Sequence, residues 1–75
     1  METDSVVDAL GLYCPEPILL LTEEIEKLKP GQTLLLMLDD PSGLEDVKRW
    51  SKRTGNKLIS TDEKEGELYF TIEKA

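Results

Sequence analysis

Histidine is absent from this chain, cysteine occurs once, at position 14, and aromatic residues make up only 5% of the sequence. Without histidine there is no Cys-His nucleophile pair, and the usual zinc sites, which need several imidazole or thiolate ligands, are excluded. A single cysteine rules out a disulfide within the chain, so neither of the common staples of small domains is available. No cofactor and no metal are expected. Long apolar runs are missing too: the longest, Ile18 to Leu21 and Leu34 to Leu38, fall far short of a membrane span or a signal-peptide core, and Glu2 and Asp4 stand where a leader would carry basic residues. These absences predict a cytoplasmic protein with no membrane contact, in a reducing compartment that suits an unpaired thiol. Positive charge is scarce, with 9 Lys and Arg against 16 Asp and Glu, and the net charge of −7 repels phosphate backbones. Direct nucleic-acid binding is therefore disfavoured, and a basic partner surface is the better complement.

What is present suffices for one small core: 75 residues, 39% of them apolar, predict a single domain over 1–75. Val6 to Leu10 reads as a strand that ends at Gly11. Ile18, Leu21, Ile25 and Leu28 recur at helical spacing, with Pro15 suited to the first turn and Lys29-Pro30-Gly31 to a stop, which predicts a helix from about Pro15 to Leu28. Thr33 to Leu38 lacks polar alternation and reads as a central strand. Asp39-Asp40-Pro41 opens a second helix with Leu44, Val47, Ser51 and Thr54 on its inner face and Gly55 at its end. Leu58 to Thr61 and Leu68 to Ile72 read as strands joined by the polar turn Asp62 to Gly66. The order β-α-β-α-β-β with right-handed crossovers predicts an α/β (α+β) two-layer sandwich, a four-stranded mixed sheet with two helices on one face.

Cys14 falls where the first strand hands over to the first helix, the edge of an open α/β sheet at which sites generally lie. Unpaired amides and the helix dipole there favour thiolate, the nucleophilic form, and Glu16 works partly against it. Pro15 and Pro17 stiffen the first turn but donate no N–H, so a thiolate has to use the amide of Glu16 or of residues beyond Pro17. A lone cysteine at a helix start also fits a small buried apolar residue. The flanking prolines and the strand-to-helix turn favour the reactive thiol.

The sequence Leu10-Gly11-Leu12-Tyr13-Cys14-Pro15-Glu16-Pro17, followed by Pro30-Gly31, Asp39-Asp40-Pro41, Asp46-Val47, Trp50, Gly55 and Phe70-Thr71-Ile72-Glu73-Lys74, resembles the TusA/SirA family of sulfur-carrier proteins. The resemblance implies that Cys14 takes a sulfane sulfur as a persulfide from a donor, a cysteine desulfurase or a rhodanese-like protein, and relays it to an acceptor protein. Catalytic turnover would belong to those partners. It makes Cys14 the persulfide-forming residue and Pro15, Glu16, Pro17, Asp39 and Asp40 its supporting motif. Members commonly carry a basic residue just before the cysteine and another two turns into the helix, where this chain has Tyr13 and Thr22; Asn56 replaces a frequent histidine. The alternative is a non-catalytic adapter or redox-regulatory domain of the SirA-like type.

On a helical wheel Leu19 points outward and Leu20 to a flank, so Leu19, Leu20 and Tyr13 are the candidate docking surface for a partner. Asp40 is expected to cap the second helix, and Asp39 to be solvated or to meet a partner's basic group. Lys48, Arg49, Lys52, Arg53 and Lys57 form a basic run on or beside the second helix, opposite its Leu44/Val47 face; it reads as a solvated helix face with Glu45 placed to pair with Arg49 at i, i+4, the alternative being a surface for an acidic enzyme or an RNA backbone. Trp50 is expected at the edge of the core.

Overall fold

The computed structural model describes residues 3–13 and 15–75. Six elements follow one another: β1 (Ser5–Asp8), α1 (Glu16–Glu26), β2 (Thr33–Leu38), α2 (Gly43–Thr54), β3 (Lys57–Lys64) and β4 (Glu67–Glu73). The sheet order is β1-β2-β4-β3. β1 runs parallel to β2, and β4 runs antiparallel to both β2 and β3. This is the two-helix, four-stranded mixed sheet expected from the element order.

The sheet faces follow from its register. Leu34, Leu36 and Leu38 lie opposite Ile72, Phe70 and Leu68, and Val7 stands beside Leu36. This row is buried together with Leu21 and Ile25 of α1 and Val47 and Trp50 of α2 in a single core. Each such fully buried side chain contributes roughly 1.5–3 kcal/mol. The other row of β2, Leu35 and Met37, is only half-buried. β2 is therefore central, as its apolar run predicts, but covered by helices on one face only. Gly43 lets α2 lie this close to β2: a Cβ at that position would stand 2.6 Å from Leu38 Cδ1.

Element ends differ from the sequence expectation for local reasons. β1 stops at Asp8, not Leu10, because the Asp8 carboxylate accepts the Leu10 N–H (3.1 Å) and the chain then turns, Leu12 N–H donating to Ala9 C=O at 3.2 Å. Gly11, at a φ of +81°, sits at the position of that turn where a side chain is strained. α1 runs from Glu16 to Glu26, with Pro15 as its N-cap, and it ends before Leu28 because the Lys27 N–H goes to the Glu24 carbonyl (3.1 Å) and the Leu28 N–H to the Ile25 carbonyl (3.2 Å), i to i−3 bonds that tighten the last turn. Its buried stripe is Pro17, Leu21 and Ile25; Ile18, Leu20 and Leu28 are half-buried against the core.

In α2 the inner face is Val47 and Trp50, not Ser51 and Thr54. Trp50, 1% exposed, is a central core residue, correcting the edge position expected of it. The expected five-residue turn at 62–66 is a two-residue turn, Glu65-Gly66, both with positive φ (53° and 84°), and β3 extends to Lys64. Polar residues can fill that stretch because β3 is a sheet edge with residues 61–64 exposed. Gly55 closes α2 as expected, at a φ of +82° with its N–H on the Ser51 carbonyl. Asn56 is buried, its side chain bonding the Thr54 hydroxyl and accepting the Ala75 N–H at 2.9 Å.

Candidate functional site

The strand-to-helix crossing from β1 to α1 is built before the site residue is reached. Ala9 N–H continues the ladder to Met37 C=O (3.0 Å), and the turn at residues 9–12 then lifts the chain off the sheet. Asp39, the first residue beyond β2, reaches across with Oδ2 to accept the Gly11 N–H at 3.0 Å. Two consecutive loop amides, Leu10 and Gly11, are thus held by carboxylates from β1 and from the end of β2. Asp39 is not merely solvated: it ties the two neighbouring strand-to-helix loops together. Removing this acceptor in Asp39→Ala should cost about 1 kcal/mol and speed hydrogen exchange at Gly11, while Asp39→Asn keeps the acceptor. Unchanged exchange at Gly11 in the alanine variant would show that the tether holds nothing.

Cys14, the expected thiol, lies outside the described residues; its neighbours on both sides are placed. Tyr13 C=O accepts the Glu16 N–H at 3.0 Å, and Pro15 C=O accepts the Leu19 N–H at 3.2 Å. The expectation that the Glu16 amide serves a thiolate is thereby corrected, since Tyr13 already holds it. Pro15 and Pro17 have no N–H and contribute no donor to this turn. Pro15 and Glu16 are exposed and Pro17 is buried. Glu16, an acid in the first turn, is favoured there by the helix dipole.

Asp40 does not cap α2 directly. Its Oδ1 accepts the Ser42 N–H (3.0 Å) and hydroxyl (2.9 Å), its C=O accepts the Gly43 N–H, and Ser42 is the N-cap. It makes an Asx turn one step ahead of the helix. With Pro17, Ile18, Leu38, Gly43 and Asp46, Asp40 encloses a gap of only about 10 Å³, so the junction of α1, α2 and β2 is filled.

Of the three docking candidates, Tyr13 is 74% exposed and Leu19 57% exposed, whereas Leu20 is half-buried against the core. Thr22, two turns into α1, accepts the Trp50 indole N–H at 3.0 Å and donates to Ile18 C=O at 2.8 Å. It is a strut between the helices. The basic run is distributed unevenly: Arg49 pairs with Asp46 (3.6 Å), not with Glu45, and Arg49 and Arg53 line a groove of about 170 Å³ with Pro15, Ile18, Asp46 and Trp50. Sequence periodicity places these arginines on a solvated face; the parallel packing of α2 beside the start of α1 brings them next to Pro15.

Among the described residues two titrating groups are displaced, each chiefly by a hydrogen bond to one neighbouring carboxylate, with Glu23 adding to the shift of Lys27 and burial and Glu65 adding to that of Tyr69. Lys27 is raised by its hydrogen bond and attraction to Glu24, and Tyr69 is raised by its hydrogen bond to Glu67. Lys27 follows the far end of α1, away from Pro15. Among the described residues no three His, Cys, Asp or Glu side chains converge as a metal site, and no helix is long and apolar enough to cross a membrane.

Known proteins resemble this chain in sequence and fold. The chain is 36% identical over 72 residues to the sulfur carrier protein TusA of Allochromatium vinosum, covering 96% of this chain and 95% of that one. It is 38% identical over 71 residues to that of Buchnera aphidicola, covering 95% and 90%. The crystal structure of a SirA-like protein from Desulfitobacterium hafniense has the same fold, with a TM-score of 0.82 at 22% identity over 92% of this chain and 95% of that one. Residues 5–74 match the family described as Sulfurtransferase TusA, and the chain belongs to that family.

Proposed function

We propose that this protein is a sulfur carrier in which Cys14 accepts a sulfane sulfur as a persulfide and passes it to an acceptor protein. The observation that carries the reading is the braced crossing around the chain's only cysteine: the Asp39 tether on one side and the Pro15-to-Pro17 helix start on the other. The relatives named sulfur carriers support it.

The chemistry needs little else. The Cys14 thiolate attacks the outer sulfur of a donor persulfide; a Cys14 Sγ–S bond forms, the donor S–S bond breaks, and the donor sulfur departs as thiolate. Delivery is the same exchange with the acceptor thiolate attacking, and no net oxidation occurs in either step. No histidine base is available, so thiolate formation draws on the α1 terminus. A reducing compartment such as the cytoplasm keeps a lone thiol ready for this cycle.

Donor and acceptor, a cysteine desulfurase or rhodanese-like protein and a thiol-bearing protein, dock on Tyr13 and Leu19, and the half-buried Leu20 contributes less. Leu19→Glu should lower loading by a protein donor about tenfold while the fold is kept, because it sets a charge in an apolar contact. Equal loading with an intact fold discards this docking face. The carrier reading itself is tested by incubation with a cysteine desulfurase and cysteine, followed by intact mass. The protein should gain the mass of one sulfur atom, reversed by reductant; no gain with several donors overturns the reading.

A further inference from the structure

In a chain of net charge −7, the groove between the start of α1 and the side of α2 is the place where cationic groups meet the cysteine motif. Ile18 contributes apolar surface over the buried Trp50, Pro15 contributes the residue that follows Cys14, and Arg49 and Arg53 stand one helical turn apart. Arg49 is 73% exposed and held loosely by Asp46 at 3.6 Å, and Arg53 has no ion pair among the described residues. Both guanidinium forks therefore retain donors toward solvent.

We propose that this groove seats an acidic segment, a short carboxylate-bearing stretch, of the protein with which Cys14 exchanges sulfur; the sulfur-exchange part rests on the carrier reading above. Paired arginines at i, i+4 present planar donor forks matched to carboxylates. The apolar surface of Pro15 and Ile18 takes the intervening chain. A volume of about 170 Å³ is below the roughly 300 Å³ of ordinary small-molecule pockets and suits one or two side chains. A polyphosphate strand fits less well: Asp46 stands inside the groove, and Trp50, 1% exposed, offers no face on which a base could stack. An acidic segment bound here holds its partner beside the Cys14-Pro15 step.

The test is an NMR titration of the whole chain with an acetylated Glu-Glu-Leu-Glu-Glu peptide, a Lys-for-Glu control peptide and a short oligouridylate. The acidic peptide should shift the Arg49 and Arg53 Nε–H, the Ile18 methyl and the Trp50 indole signals, with affinity falling as salt rises. Arg49→Glu with Arg53→Glu should weaken it at least about tenfold, and the Gln pair should also weaken it, with the native indole signal showing that the fold is kept. Absent shifts, shifts elsewhere, or unchanged binding by the double variants overturn the proposal. Stronger binding of oligouridylate at the same signals overturns it in favour of nucleic acid. The titration is repeated on Cys14→Ser, because peptide binding needs no thiol. Peptide binding without sulfur loading of the parent protein keeps the groove and overturns the carrier reading; loading without peptide binding does the reverse.

Discussion

Cys14→Ser should fold like the parent protein and carry no sulfur. A serine hydroxyl is not ionised near neutral pH and forms no persulfide, and this chain has no second cysteine to take over. The expected loss is therefore complete, unlike the partial losses that follow from removing a docking residue. Intact mass after incubation with a cysteine desulfurase and cysteine should show the unmodified variant beside a parent protein heavier by one sulfur atom. Circular dichroism and the denaturation midpoint should be unchanged, because the neighbouring bonds, Asp39 to Gly11 and Glu16 to Tyr13, do not involve the side chain at 14. Sulfur retained by the serine variant would remove Cys14 from the chemistry altogether.

Trp50→Ala should bring the fold close to collapse. Burial of Trp50 is nearly complete, and large aromatic-to-alanine changes in cores cost about 3–5 kcal/mol. A domain of this length has roughly 4–11 kcal/mol in total at the usual stability per residue. Trp50→Phe keeps most of the apolar area but leaves Thr22 Oγ1 without the indole N–H, a loss of about 1 kcal/mol plus the smaller ring. Urea denaturation gives both values as midpoint shifts at constant slope. A cycle with Thr22→Val separates the hydrogen bond from the packing, because the Phe and Val changes together should cost less than their sum. A cost below about 1.5 kcal/mol for Trp50→Ala would mean that α2 is not anchored through this residue.

Both residues show how far the sequence can be read. The run Leu34 to Leu38 identifies the central strand because burial there depends on composition alone, and the outward position of Leu19 follows from helical spacing. Trp50 is misjudged because its helix also offers Ser51 and Thr54 to the inner face, and the partner that decides the rotation, Thr22, lies 28 residues earlier. The Asp39 to Gly11 bond spans the same separation and leaves no periodic trace. In β3 the polar residues 62–64 hide a strand, because an edge strand with both faces near solvent has no reason to alternate. The arginine groove is invisible for a related reason: helix α2 alone shows where its basic face points, and only the placement of α1 shows what that face meets.

The sheet order carries one more consequence, for how the chain reaches its fold. The last of these four strands in chain order, β4, lies between β2 and β3, and its register with β2 joins residues 33–38 to residues 68–73. Closure of the sheet is thus a long-range event, slower than helix formation and impossible until residues 68–73 have been made. Until then Leu34 to Leu38 lacks its neighbour and is open to pairing with other nascent chains. The strand at the centre of the core is thus also the segment most exposed to misassembly before β4 arrives.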